Sequence, residues 1–213
     1  MALRTDLGPK EQKAKAAVGR EAEDWLRENL APIRDIFDKK RYRKIAEGPY
    51  TRDTASRLQL AVTNDAAWKA IRKAYPGWRG LVHRGLTRSF RLGATEAQEM
   101  IAEDMSEAGV SDIDWKITRS ELVEASRQPI NGFKTSEHAR ILWELVLTKM
   151  DAALRRAALR GSGMQSVRTS FSRSLDQIIQ ETRQSLENTV GDAYARGVRW
   201  TTNQLANSRF KVR

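Results

Sequence analysis

The sequence predicts an all-α protein, a bundle of six to seven helices that ends in one long C-terminal helix. Apolar residues recur every three or four positions along most of the 213 residues, which is the period of an amphipathic helix. Hydrophobic residues make up 40% of the chain, enough to form a core and too many for wholesale disorder. The chain has five prolines, and none of them lies between Met164 and Leu205.

The longest helical pattern runs from Met164 to Leu205, with apolar and small residues in a single stripe. At 1.5 Å per residue such a helix would be about 60 Å long, more than a compact domain of this size usually spans. A long helix with a narrow stripe needs a partner along its length, in its own chain or in a second copy. We therefore predict that this helix joins copies of the chain. The predicted interface residues are Phe171, Leu175, Ile178, Leu186, Val190, Tyr194 and Trp200.

Small residues mark two features of this C-terminal region. Gly191, Ala193, Ala195 and Gly197 give the last third of the helix a small-residue face, which lets another backbone approach closely. The flexible segment at residues 161–163, Gly-Ser-Gly, precedes the helix and is the best candidate for a domain boundary. We therefore expect a basic N-terminal helical bundle with an acidic middle segment over residues 1–160, and a long assembly helix over residues 164–213.

Two helical patterns fill the first third of the chain. The first contains Pro32, which lacks a backbone donor and so predicts a kink or a break near Asn29. The second is predicted to begin at an N-cap, either Asp53 or Thr54, and to end at Pro76-Gly77.

Residues 78–93 form the least periodic stretch and are expected to be a basic, glycine-punctuated loop. Such a loop can bind phosphates, or it can anchor its apolar residues in the core and leave its arginines in solvent. Thr95 and Gln98 then have the spacing of a capping box, which predicts a helix that ends at Gly109.

The region before the long helix contains the clearest amphipathic pattern in the chain. Residues 115–118 fit a strand or a helix, residues 120–128 predict a short helix, and residues 129–132 predict a turn. A helix capped by Ser136 is then expected to continue to Ala157 and to form the core of the fold.

The charge of the chain favours an anionic partner. There are 38 Lys and Arg against 27 Asp and Glu, a formal net charge of +11. Residues 1–90 carry net +9, residues 91–151 carry −5 and residues 152–213 carry +7, so the basic ends can also pair with the acidic middle within one chain or between copies. Nucleic acid is the commonest partner of a protein with such an excess of positive charge. The candidate nucleic-acid-binding residues are Lys39, Lys40, Arg41, Arg43, Lys44, Arg79, Arg84 and Arg88.

Aromatic residues near these cations offer a second kind of contact. Tyr42 lies inside the densest basic run, and Trp78 and Trp200 lie near arginines, so each is a candidate for stacking on a base or a guanidinium group. The alternative for the basic run is a solvated helix end, where cations complement the helix dipole.

The residues that usually carry chemistry are sparse. The chain has no cysteine, and its two histidines, His83 and His138, are far apart and have no zinc-ligand spacing. We predict no enzyme, no catalytic residue, no cofactor and no metal site. There is no apolar run of about 18 residues, so no membrane-spanning segment is expected, and the predicted location is the cytoplasm, or the virion if the protein is phage-encoded.

One short segment suggests a family. Ile117-Thr118-Arg119-Ser120-Glu121 resembles the Ile-Ala-Arg-Thr-Glu signature of phage Mu-type head-morphogenesis proteins, although the histidine-containing segment typical of that family is missing here. Small, basic, cysteine-free chains with long helices are also similar to tailed-phage virion components. The resemblance implies a multi-copy structural protein that contacts DNA, acidic partners or other virion proteins, such as a portal-associated, internal or ejection protein. The alternative is a helical nucleic-acid-binding module, a regulator or a subunit of a defence complex.

Overall fold

The computed structural model of the protein describes residues 8–45, 50–107, 117–127 and 135–207. Within these ranges the chain is helical apart from short turns, so the predicted all-α fold with a long C-terminal helix is confirmed. The elements are α1 (Gly8–Arg34), a 3₁₀ turn (Asp35–Asp38), α2 (Lys40–Ile45), α3 (Arg52–Thr63), α4 (Ala66–Lys73), α5 (Tyr75–Glu107), α6 (Arg119–Arg127), α7 (Thr135–Arg160) and α8 (Met164–Asn207).

The helix starts and stops in the first third follow local capping. Helix α1 continues past the predicted break at Asn29, because Pro32 lies in its last turn and costs only one bond before the 3₁₀ turn begins. Thr51, rather than Asp53 or Thr54, caps α3, and its hydroxyl accepts a hydrogen bond from the Thr54 amide at 3.2 Å.

The glycine-punctuated stretch at residues 78–93 is helical, so the prediction of a loop there is wrong. It lies inside the 33-residue helix α5, and Thr95 is therefore an interior residue rather than a cap. The glycines permit close packing, since a β-carbon on Gly85 would lie 2.6 Å from Cγ1 of Val18 and one on Gly93 would overlap the carbonyl oxygen of Tyr194. Tertiary packing here outweighs the low helix propensity of glycine.

Several predicted features are only partly described. The predicted helix end at Gly109 and the predicted turn at residues 129–132 lie outside the described residues. Of the ambiguous stretch at 115–118, the structure describes Ile117 and Thr118, which are in neither a helix nor a strand. Helix α7 begins at Thr135, so Ser136 is in its first turn rather than at its cap.

The chain forms two compact units, each built from separated stretches. Unit 1 comprises Met1–Gly19, Val82–Ser136 and Leu186–Arg213, and unit 2 comprises Arg20–Leu81 and Glu137–Ser185. Helices α1, α5 and α8 therefore contribute residues to both units, and α7 contributes its first two residues, Thr135 and Ser136, to unit 1. The predicted boundary at residues 161–163 coincides with the turn between α7 and α8, and that turn lies inside unit 2.

The core of unit 2 is rich in aromatic residues. The rings of Trp25, Trp78 and Trp143 form a cluster with centroids 5.6 to 6.0 Å apart. A second group places the Phe171 ring of α8 between Phe37 and Trp68, at 5.6 and 6.0 Å. Aromatic pairs at these separations stabilise a core beyond the area that they bury.

The core of unit 1 depends on the close approach of α5 and α8. Gly197 lies directly against the backbone of Phe90 and Ala94, as the small-residue face predicted. Thr201 is buried and donates a hydrogen bond to the carbonyl oxygen of Ala94 at 3.1 Å, and the Trp200 ring packs 5.9 Å from that of Phe90.

The stripe on α8 is covered by the chain itself, which corrects the expectation of an exposed interface. Six of the seven residues assigned to the interface are buried, and Trp200 is half-buried against Phe90. The buried six are Phe171, Leu175, Ile178, Leu186, Val190 and Tyr194. The long helix finds the partner that its stripe requires within its own chain.

In the described residues no helix combines the length and the apolar composition that a membrane span needs.

Candidate nucleic-acid interface

The surplus of positive charge belongs mainly to unit 2. By sequence, unit 2 has 22 Lys and Arg against 14 Asp and Glu, a net charge of +8. Unit 1 has 16 against 13, a net charge of +3. A surface that attracts a polyanion is therefore to be sought on unit 2.

Two contacts gather cations at one end of this unit. The Tyr50 hydroxyl donates to the carbonyl oxygen of Ala158 at 2.8 Å, which holds the start of α3 against the end of α7. Arg168, in the second turn of α8, pairs with Asp38 at 2.7 Å and so holds α8 beside the 3₁₀ turn that leads into α2. We call this region the cationic end, and its exposed members are Lys40, Lys44, Arg52, Arg156 and Arg160.

Two acids near the cationic end, Asp38 and Asp65, are already paired. Asp38 pairs with Arg168. The carboxylate of Asp65 is fully buried and accepts hydrogen bonds from Lys39 at 2.9 Å, from the Tyr42 hydroxyl at 2.6 Å and from the Ala67 amide at 2.9 Å. In the described part of the chain the five cations of the cationic end have no ion-pair partner, so their charge is available to an external anion.

The predicted basic run is only partly available. Lys39, Lys40 and Lys44 are all exposed, but Lys39 pairs with Asp65. Arg41 and Arg43 belong to α2, but their side chains lie outside what the structure describes. Tyr42 is buried, so the expectation that it stacks on a base is wrong. Its ring is needed in the core, where its hydroxyl satisfies Asp65.

The other predicted cations do not join this surface. Arg79 is exposed next to Trp78, whose indole nitrogen donates to the carbonyl oxygen of Ala139 at 3.0 Å. Ala139 is about 28 Å along α7 from Ala158, at 1.5 Å per residue. Trp78 is fully buried and cannot stack on a nucleic acid.

Arg84 and Arg88 are exposed on α5 in unit 1. The eight predicted residues therefore do not form one continuous surface within a unit. Arg52, Arg156 and Arg160 are not among the residues predicted from the sequence. Their grouping with Lys40 and Lys44 depends on the Tyr50–Ala158 contact, which joins positions 108 residues apart.

A small cavity in unit 1 is the other polar feature. It is lined by two hydroxyl-bearing residues of α6 and α7, Ser126 and Thr135, together with Leu86, Thr87, Phe90, Ala193 and Arg196. Its space of about 10 Å³ is that of a single water molecule. His83 and Arg91 approach it, with His83 Nδ1 2.9 Å from the Thr135 hydroxyl and Arg91 donating to Ser126 at 3.0 Å. Its size does not fit an organic substrate.

Among the described residues, no three His, Asp or Glu side chains come together as metal ligands. Glu99 of α5 is exposed and pairs with Lys10 at 2.9 Å. No family model matches the chain, and neither curated proteins nor solved structures give a significant match.

Proposed function

We propose that this protein is a non-enzymatic helical protein that contacts nucleic acid through the cationic end of unit 2. The observation that carries the proposal is the grouping of five exposed cations without ion-pair partners in the described chain, at an end where Asp38 and Asp65 are already paired. Other cations of unit 2 are held by carboxylates, as Arg72 is by Asp151 at 3.0 Å and Arg183 is by Glu23 at 2.7 Å.

The physical basis is the release of counterions. A phosphate backbone carries a condensed layer of cations, and each Lys or Arg that replaces one gains entropy of release. A cation already held by a carboxylate brings little net charge to that exchange. Lys40, Lys44, Arg52, Arg156 and Arg160 have no such partner in the described chain, so they are the residues expected to contribute.

The setting that we propose is a multi-copy structural component of a phage virion, next to packaged DNA. The support is the general likeness to small, basic virion proteins with long helices. The Ile117–Glu121 segment adds less, because Thr118 and Glu121 form a reciprocal capping box at the start of α6. Helix capping alone accounts for that residue pattern.

The burial of the α8 stripe favours a second candidate, a nucleic-acid-binding module that works as a monomer or a dimer. Both candidates use the cationic end, and they differ in assembly. A virion component is expected to form a defined oligomer in high salt, where apolar contacts persist. A module is expected to have the mass of one or two chains.

The test measures binding and mass on the same full-length protein. Fluorescence anisotropy with a labelled DNA duplex and a single-stranded RNA, over a series of salt concentrations, is expected to give an affinity that falls steeply with salt. Absence of binding at low salt, or an affinity that does not change with salt, would overturn the proposal. Light scattering in high salt then separates the virion component from the module.

A further inference from the structure

Exposed apolar side chains are concentrated on one line of α7. Four large apolar residues are exposed in the described part of the chain, and three of them are Ile141 at 50%, Leu145 at 40% and Leu159 at 53%. Leu60 of α3 is the fourth. Single exposed apolar residues are ordinary, whereas three on one helix face need an explanation.

The line has the spacing of a coiled-coil seam. Ile141, Leu145, Thr148, Ala152, Arg155 and Leu159 are exposed and follow one another at intervals of four, three, four, three and four residues. This is the heptad alternation that keeps one face of a helix toward a partner helix. We call these six residues the outer seam. It lies on the side of α7 opposite the buried residues Val146, Met150 and Ala157.

The charges that flank the outer seam differ in sign on its two sides. One flank carries the acids Glu137, Glu144 and Asp151. The other carries the bases Lys149 and Arg156. In heptad terms the acids occupy g positions and the bases e positions, which are the positions that choose the partner and its direction.

We propose that the outer seam pairs, in parallel and in register, with the outer seam of a second copy of this chain. In that arrangement each g residue faces the e residue five positions later in the partner, so Glu144 meets Lys149 and Asp151 meets Arg156, twice over by symmetry. The contact with Asp151 takes Arg156 out of the cationic end, so in the dimer the proposed nucleic-acid contact depends on Lys40, Lys44, Arg52 and Arg160. An antiparallel arrangement centred on the same seam would instead place Asp151 opposite itself and Lys149 opposite itself. The flanking charges therefore select the parallel dimer.

Two features set the strength of this contact. Thr148 and Arg155 are polar seam residues, which weaken the pairing while they fix its register, and the long stem of Arg155 can carry its charge to the rim. Three of these residues must also exchange partners, since Glu144 pairs with Arg140 at 2.7 Å, Asp151 with Arg72 at 3.0 Å and Lys149 with Glu181 at 2.5 Å. Those pairs are at the surface, where exchange costs little.

This inference rests on the multi-copy part of the proposed function. It assigns the contact between copies to the outer seam of α7 instead of the buried stripe of α8. The first test is sedimentation or light scattering of the full chain over a concentration series. We expect a monomer–dimer equilibrium that is lost in Leu145→Glu and retained in Leu60→Glu, with circular dichroism showing that both variants remain folded. A wild-type chain that stays monomeric, or a higher oligomer that survives Leu145→Glu, would overturn the proposal.

Direction is tested by cross-linking, because the chain contains no cysteine. Under oxidation, Ala152→Cys is expected to give a covalent dimer, since position 152 faces itself only in the parallel register, and Leu60→Cys is the matched control. A seam that prefers another protein, or antiparallel pairing, would leave Ala152→Cys no more cross-linked than the control. A monomer that still binds nucleic acid with a steep salt dependence would refute the dimer and leave the proposed nucleic-acid contact standing.

Discussion

Gly197 of α8 lies so close to α5 that a β-carbon at this position would overlap the carbonyl oxygen of Phe90 and lie 2.9 Å from the amide nitrogen of Ala94. Both obstacles are backbone atoms, which cannot move aside by changing a rotamer. Because Gly197 is inside a helix, replacement by alanine would ordinarily stabilise that helix by about 1 kcal/mol. Here the overlap with the α5 backbone makes the same replacement destabilising.

We expect Gly197→Ala to lower the free energy of unfolding by about 1–3 kcal/mol, the cost of overpacking a core. The control is Gly163→Ala, where an added β-carbon meets nothing within 4 Å. Urea denaturation of both variants gives the comparison. A Gly197→Ala chain as stable as the wild type would contradict the close approach of the two helices.

Glu23 of α1 holds α8 through its carboxylate, which accepts hydrogen bonds from Arg183 at 2.7 Å and Gln180 at 3.0 Å. The Arg27 side chain, followed by that of Arg183, lowers the pKa of Glu23 below its ordinary value. A lowered pKa means that the contribution of Glu23 to stability is complete above its unfolded pKa of about 4.3 and is lost as the pH falls through the folded pKa.

We therefore expect Glu23→Gln to cost about 1 kcal/mol of stability at neutral pH, with the difference from wild type shrinking as the solution is acidified through that range. Glu28→Gln is the control, because Glu28 is exposed on the same helix and has no hydrogen-bond partner in the described chain. Urea titrations at neutral and acidic pH measure both differences. A cost that is independent of pH would show that the charge of Glu23 is not the cause.

Two tyrosines lose one hydrogen bond each when replaced by phenylalanine, but their acceptors differ. The Tyr42 hydroxyl donates to the buried carboxylate of Asp65 at 2.6 Å, and that of Tyr50 donates to the neutral carbonyl of Ala158 at 2.8 Å. Hydrogen bonds to a charged acceptor are the stronger kind. We expect Tyr42→Phe to cost about 1.5–3 kcal/mol and Tyr50→Phe about 1 kcal/mol. Thermal or urea unfolding decides the order, and the reverse order would refute the role given to Asp65.

The cationic end predicts which arginines matter for binding. Replacing Arg52 and Arg160 together by glutamine is expected to weaken binding to any nucleic acid sequence and to reduce the slope of log affinity against log salt by up to about 2. Arg79→Gln, on the same unit but near the start of α7, is the control and is expected to leave the slope almost unchanged. Equal losses in both variants would mean that general charge, rather than this end, attracts the nucleic acid.

Much of the fold follows from the sequence because helical periodicity is local. The spacing of apolar residues in α7 and α8 depends on neighbours three and four positions away, so their existence and approximate extent could be read directly. Residues 78–93 were misassigned for the opposite reason. Their glycines are poor helix formers, and the contacts that hold them in α5 come from Val18 and Tyr194, far away in sequence.

The candidate nucleic-acid interface was also predictable from the sequence only in part. Lys40 and Lys44 were identified because the basic run is dense in sequence, but Tyr42 in the middle of that run is a core residue. No sequence pattern marks Arg52 as a neighbour of Arg156. That relation exists because the Tyr50 hydroxyl reaches the carbonyl oxygen of Ala158.

The sequence by itself determined that this chain is helical, that it is basic and that its last helix is long, since these properties depend on composition and on spacing within one or two turns. Only the tertiary structure decided which stripe is covered, which cations lack an acid beside them and which face of α7 remains open to solvent. Those outcomes are set by partners such as Asp38 for Arg168, 130 positions apart. Burial and ion pairing depend on which residues are neighbours in space, and in a folded chain those neighbours can be far apart in sequence.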